Sequence, residues 1–230
     1  MKQENADTLI EILRLSKNGE PFQTTSGAIN QILFELMPNR MIDKSWILSR
    51  DNRIDLAVIA IAADANIETV IQHLTWKDFE GFVARILTEN EYRCVESFRR
   101  RGNRLVEGME IDVIGVKGFS ILSIDAKMWG LRTGKSSTLV EAAKKQAIRT
   151  EKLSNQIERL SHKIERMKPG VYSLTPIMVT WLVEEIQFCD GVPVVPIFKL
   201  NSFLLDLGRY EDLLVSYEGV LESRLLQTEL

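Results

Sequence analysis

The sequence predicts an α/β fold with a helical module at its N-terminal end. Three observations predict it. The stretch from Glu110 to Lys127 reads as two strands joined at Lys117-Gly118, a glycine-containing hairpin connection. Two near-continuous apolar runs, Pro176 to Val183 and Gly191 to Ile197, read as strands of a sheet buried on both faces. Around these strands, apolar residues recur at helical spacing.

Taken in order, the chain opens with four helices predicted over Ala6 to Lys17, Ser26 to Met37, Arg53 to Asp64 and Ile67 to Leu74. Residues 1–74 are therefore expected to form a small helical module, either a helix-turn-helix unit or one for packing and dimerisation. None of its helices is rich in the Arg, Asn and Gln of a recognition helix, which favours packing. Thr75 is placed as the N-cap of a fifth helix, with Asp78 at the position where Glu usually closes a capping box. Trp76, Phe79, Phe82, Val83, Ile86 and Leu87 form its apolar stripe, and Glu80 falls on the border of that stripe. A strand from Tyr92 to Phe98 leads into an arginine-rich segment and then the hairpin. One long helix is expected from Ser137 to Lys168, stopped by Pro169-Gly170. Its second half carries Leu153, Ile157, Leu160, Ile164 and Met167 at spacings of four and three, a seam that suits the sheet, the N-terminal module or a second copy of the chain, with dimerisation slightly favoured. A helix from Phe198 to Leu207 follows the last apolar strand, and residues 208–230 read as a helical or mixed tail packing on the core.

Composition excludes several classes. Hydrophobic content of 45% with 27% charged residues is ordinary for a globular chain. Cys94, Cys189, His73 and His162 have no zinc-site spacing, and a disulfide framework is not expected. The polar start and the absence of a long apolar run exclude a signal peptide and a membrane span, so a cytoplasmic protein is expected. The net charge of −3 hides local basic patches. Arg99, Arg100, Arg101 and Arg104 form one, a phosphate handle or equally a solvated loop. Lys144, Lys145, Arg149 and Lys152 give the first half of the long helix a basic face, and Arg132, Lys135, Lys144 and Lys145 join the arginines as candidate phosphate contacts. The loop from Gly130 to Ser137 imitates a phosphate-binding P-loop but has three residues, not four, before its Gly-Lys-Ser.

The chemistry concentrates in the hairpin. Side chains alternate faces along a strand, so Glu110 and Asp112 are expected to share one face of the first strand, and Asp125 and Lys127 one face of the second. Charged groups inside apolar strands are costly unless paired or metal-bound. An ion-paired hairpin end accounts for them on structural grounds alone. A salt bridge from Glu110 to an arginine competes with a role for it as an auxiliary ligand.

With Glu80 on the preceding helix, Asp112 on one strand and Asp125-Ala126-Lys127 on the next, residues 75–207 resemble the PD-(D/E)xK nuclease superfamily, in particular its archaeal Holliday-junction-resolvase-like and Mrr-like branches. Gln146 matches the glutamine that branch often places on the following helix, and Asp125 stands where resolvases commonly carry Glu. The resemblance implies a restriction-endonuclease-like core, a mixed central sheet flanked by helices. It also implies a magnesium-dependent endonuclease acting on DNA, with manganese as a substitute metal and RNA left open. Asp112 and Asp125 would be the principal metal ligands, joined by the Ala126 carbonyl and Glu80. Lys127 would orient or deprotonate the attacking water, and Gln146 would position water or Lys127. The seam suggests a homodimer able to cut two strands. The competing expectation is a protein that keeps the nuclease fold for nucleic-acid binding or assembly without catalysis.

Overall fold

The computed structural model describes residues 2–100, 108–128, 135–181, 184 and 187–223, with the side chains of residues 2–4 and 135–136 left out. The chain divides into two compact units, Met1–Phe82 and Val83–Leu230. This places the boundary inside the fifth helix rather than before it.

The first unit contains helices α1 (Lys2–Leu15), α2 (Gly27–Leu36), α3 (Arg50–Ala62) and α4 (Ile67–Gln72), and the first turns of α5 (Trp76–Glu89). Its caps follow the sequence closely. Ser26 accepts the Ile29 N–H, Asn66 accepts the Thr69 N–H, and Ser49 with Asn52 forms a reciprocal capping box at α3. The expected box at α5 is present: Asp78 N–H donates to Thr75 Oγ1 at 3.1 Å, and Thr75 N–H donates to Asp78 Oδ2 at 2.8 Å. A small hairpin, β1 (Met41–Ile42) and β2 (Ser45–Trp46), lies between α2 and α3 and is an addition to the all-helical expectation. Its two-residue loop puts Asp43 and Lys44 at φ +47° and +63°, as a turn with two left-handed residues requires.

Arg53 ties this unit together from inside. It is 2% exposed and donates to Asp78 Oδ2, the Leu13 carbonyl, Ser16 Oγ and the His73 carbonyl, at 2.6–3.0 Å. One guanidinium thus satisfies the ends of α1 and α4 and the cap of α5 in a setting where unpaired polar groups are expensive.

The second unit is a mixed seven-stranded sheet in the order β3-β4-β5-β6-β8-β7, with β9 also on β6. The strands are β3 (Arg93–Arg100), β4 (Met109–Lys117), β5 (Ser120–Lys127), β6 (Gly170–Thr180), β7 (Phe188–Cys189), β8 (Val192–Pro196) and β9 (Tyr217–Leu221). Strands β3, β4 and β5 are antiparallel, and β5, β6 and β8 are parallel. The β4–β5 loop is Gly118-Phe119, with Gly118 at φ +58° in the first loop position. The tail supplies β9, which pairs with residues 170–174 of β6, while β8 pairs with residues 178–180 on the same edge. Pro176, which has no N–H to donate, falls in the gap between those two ladders.

The predicted long helix is interrupted. It forms α6 (Lys135–Ser154) and a short α7 (Ile157–Ser161). Ser154 Oγ and Asn155 Nδ2 both donate to the Glu151 carbonyl, side-chain bonds that compete with continuation of the helix. Gly219 of β9 lies against this break, where a Cβ would come 2.5 Å from the Ile157 side chain. The seam residues Leu153, Ile157, Leu160 and Ile164 are buried against Ile114, Val116, Ile121 and Leu174 of the sheet. They are used within the subunit and are not available to a partner, so the expected homodimer loses the seam as its support. Leu87 of α5 approaches Gly115 on the opposite face of β4, and Asn90 at the end of α5 donates to Asn201 of α8 (Ile197–Leu205) at 2.8 Å. Among the described residues, no helix is long and apolar enough to cross a membrane.

Replacing Arg53 with Met strands the buried Asp78 carboxylate without its cation. Breaking a buried pair in this way costs about 3–5 kcal/mol, so urea denaturation of Arg53→Met should show a loss of that size. Loss of less than about 1 kcal/mol, the level of a surface pair, would show that Arg53 is not the unit's anchor.

Candidate active site and basic face

The β4–β5 ladder runs from Lys117↔Ser120 to Val113↔Ile124 and stops there. The next opposed pair would be Asp112 and Asp125. The β3–β4 ladder omits one step at the same level, between the pairs Glu96↔Val113 and Phe98↔Ile111. Ser97, at that step, takes φ +50°, a conformation uncommon for a residue with a Cβ. The side-chain alternation changes phase across the break. Met109 and Ile111 join the same core cluster as Ile114 and Val116, although residues three apart in a regular strand point to opposite faces. The sheet is therefore distorted where its two buried aspartates sit.

Asp112 and Asp125 are 7% and 2% exposed. Asp112 Oδ2 accepts the Ala126 N–H at 2.9 Å, supplying an acceptor where the ladder has ended. On the other edge of β5 the parallel ladder with β6 continues to Lys127↔Thr180. Asp125 is thus held by a firmly paired strand edge on one side and lies one step past the end of the ladder on the other.

Lys127 Nζ lies 3.0 Å from Asp125 Oδ1 and 2.9 Å from Oδ2, and only the approach to Oδ1 has hydrogen-bond geometry. Arg149 Nη1, from α6, donates to the same Oδ1 at 3.1 Å. Oδ2 is buried with ion-pair contact to Lys127 but no aligned donor among the described residues. The Asp125–Lys127 pairing foreseen as the structural account of the hairpin is therefore present, with a second cation added.

Gln146 is fully buried. Its Nε2 donates to the Ser123 carbonyl at 2.8 Å and to Ser123 Oγ at 3.0 Å, pinning α6 to the middle of β5. Its Oε1 is buried with no hydrogen-bond partner among the described residues. Its amide nitrogen is thus engaged with β5, not with Lys127. Glu110 does not join Asp112. It is half-exposed and bonded to Arg99, with Oε1 2.8 Å from Nε and 2.6 Å from Nη2. Glu80, in the first unit, is 1% exposed; its Oε2 is 2.7 Å from Lys77 Nζ, and its Oε1 is buried without a hydrogen-bond partner among the described residues.

The basic candidates separate. Arg99, Arg100, Lys145, Ile148, Arg149 and Lys152 line a concavity of about 490 Å³ together with Gly108, Met109 and Glu110. Lys144 points elsewhere, 3.7 Å from Asp190. Arg101, Arg104 and Arg132 lie outside the described residues, as do most of the P-loop-like segment and the side chain of Lys135. Arg149 and Lys152 belong to the basic helix face expected from the sequence but not to the candidate phosphate contacts named there. Their spacing of four and seven residues from Lys145 puts all three on one helical face, which is the signal that finds them.

Magnesium binds through one or two carboxylates and keeps several waters. Among the described residues no group of three or more His, Cys, Asp and Glu side chains is arranged to hold a metal. The two buried aspartates on adjacent strands, one with an oxygen lacking an aligned donor, fit a cation that retains waters rather than a closed protein cage. The cysteines are not candidate nucleophiles. Burial, partly offset by the Thr88 hydroxyl, pushes the Cys94 thiol up to about 11, so it is protonated at neutral pH.

No family model matches the chain. An uncharacterized protein of Archaeoglobus fulgidus is 28% identical over 138 residues, covering 60% of this chain and 95% of that protein. Among solved structures, VC1899 from Vibrio cholerae aligns with 92% of this chain and 53% of its own, at 11% identity and a TM-score of 0.37. Can2 from Sulfobacillus thermosulfidooxidans, solved with cyclic tetra-adenylate, aligns with 89% of this chain and 52% of its own, at 10% identity and a TM-score of 0.36. The chain spans about half the length of these two proteins.

Asp112→Ala removes the acceptor of the buried Ala126 N–H, which costs about 1–3 kcal/mol, whereas Asp112→Asn retains an oxygen in place. Denaturant melts should therefore show a clear loss for Ala and a smaller one for Asn. Equal losses would show that the Asp112–Ala126 bond does not hold the hairpin end.

Proposed function

We propose that the second unit is a metal-dependent endonuclease hydrolysing DNA phosphodiester bonds, with a restriction-endonuclease-like core of the PD-(D/E)xK type, working in the reducing cytoplasm. One observation carries the reading: two buried aspartates stand at opposed positions on adjacent strands, one step past the end of the ladder, with Lys127 on one of them. A concavity lined by five cationic side chains and one carboxylate shares Arg149 with that site. Such a surface suits a polyanionic backbone.

Each residue has a part in this reading. Asp112 and Asp125 would hold magnesium or manganese, which when bound supplies Lewis-acid stabilisation of phosphate charge and a bound water of lowered pKa. Asp112 also fixes the opened hairpin end through the Ala126 N–H. Lys127, projecting from the end of β5, orients the attacking water and offsets negative charge on the phosphate. Gln146 sets the distance between α6 and β5, so it positions the site from behind. Arg99, Arg100, Lys145 and Lys152 take backbone phosphates.

A second reading is supported by the pairing itself. Two cations already neutralise Asp125, and no third carboxylate joins the aspartates among the described residues. The same fold could then bind nucleic acid without cutting it.

The two readings separate in one assay. Labelled linear and branched DNAs, with an RNA arm, are incubated with the protein and magnesium or manganese. The nuclease reading expects metal-dependent products that fall by at least roughly a hundredfold in folded Asp125→Ala and Lys127→Ala proteins, the scale of losing a general acid–base group. Salt-sensitive binding without products supports the second reading. Unchanged cleavage in both variants sinks the first.

A further inference from the structure

Arg149 belongs to two surroundings at once. Its guanidinium donates to Asp125 Oδ1, and its side chain, about one-third exposed, lines the concavity formed with Arg99, Arg100, Lys145 and Lys152. Asp125 is 3% exposed at its side chain and carries both Lys127 and Arg149. An added divalent cation there would bring a third positive centre against one carboxylate, and like charges at such distances are strongly unfavourable. One of the two resident cations has to give way.

The geometry selects which. Lys127 sits on the same strand two residues from Asp125, next to the ladder that binds β5 to β6, and approaches both carboxylate oxygens. Arg149 reaches Asp125 from a separate helix through one nitrogen, and open space of about 490 Å³ lies beside it. A phosphodiester seated in that space offers a guanidinium paired oxygen acceptors in a planar fork, a better match than a single shared oxygen. Ile148, 49% exposed on the same helix, gives the concavity an apolar surface against which a sugar or base can rest.

We infer that Arg149 is a positioning residue that keeps Asp125 paired until a nucleic-acid phosphate in the adjacent basic concavity draws its guanidinium away and opens Asp125 to a divalent cation. The inference rests on the proposed metal-dependent reading of Asp125. It adds that the site assembles on its substrate: backbone engagement and cation binding strengthen each other by the same factor, because coupling between two binding sites is reciprocal.

The test is calorimetric titration of the full chain with Mn2+, alone and with a saturating phosphorothioate duplex that keeps its backbone charge. Coupling between sites typically spans about 5- to 150-fold, and a rise of roughly tenfold in Mn2+ affinity on adding the duplex is expected. Arg149→Gln should bind Mn2+ roughly tenfold more tightly without DNA, show no further rise with it, and lower the salt slope of DNA binding by about one. Arg149→Lys, which keeps the charge without the fork, should fall between the two. Equal Mn2+ affinity with and without duplex in the wild-type protein overturns the inference while leaving the nuclease reading in place, and this arm decides even where a variant fails to fold. No Mn2+ uptake in any state overturns both.

Discussion

The β4–β5 ladder ends one step before two opposed aspartates, and the Asp112 carboxylate takes the place of the missing backbone partner by accepting the Ala126 N–H. Much of the second unit follows from that substitution. A buried N–H without an acceptor is costly, so the strands can part at this level only because a side chain closes the account. Parting leaves Asp125 one step past the end of the β4–β5 ladder while the parallel β5–β6 ladder holds its backbone. Ser97 and the omitted step between β3 and β4 extend the distortion across a third strand.

Charge balance then determines what this point of the sheet can do. Asp125, nearly sealed from water, is stabilised by Lys127 and Arg149 together, and Gln146 fixes the helix that brings Arg149 in. The two cations differ in freedom. Lys127 is bound to the strand it neutralises, and Arg149 stands at the wall of a basic concavity. The carboxylate is charge-satisfied as it stands, and on the proposed reading its reactive arrangement depends on an anion arriving from outside. The first unit shows a related economy, with Arg53 binding two helix ends and a cap from a single buried position.

Local features were legible in the sequence. The hairpin, the two apolar strands and the Thr75–Asp78 cap all depend on residues close along the chain or on strict alternation, and a salt bridge from Glu110 to an arginine is one of two alternatives, which the structure settles on Arg99. Features set by distant partners were not. The Leu153-to-Ile164 seam reads the same whether it meets a sheet or a second copy, and only the fold shows the sheet. The tail strand β9 acquires its identity from pairing with β6, and the break after Ser154 arises from short polar side chains that a helical pattern conceals. The β1–β2 turn uses Asp43 and Lys44 rather than glycine, which removes the usual hairpin signal. Arg149 reads in the sequence as one of several cations on a basic helix face, and its contact with Asp125 spans 24 positions of sequence.

The most direct measurement of the central claim is anomalous diffraction from crystals of the protein grown with manganese and a short duplex. The account predicts a manganese peak within coordinating distance of the Asp112 and Asp125 carboxylates, with Arg149 turned from Asp125 to a backbone phosphate. Density showing the duplex bound, no manganese at the two aspartates, and Arg149 still on Asp125 would contradict it.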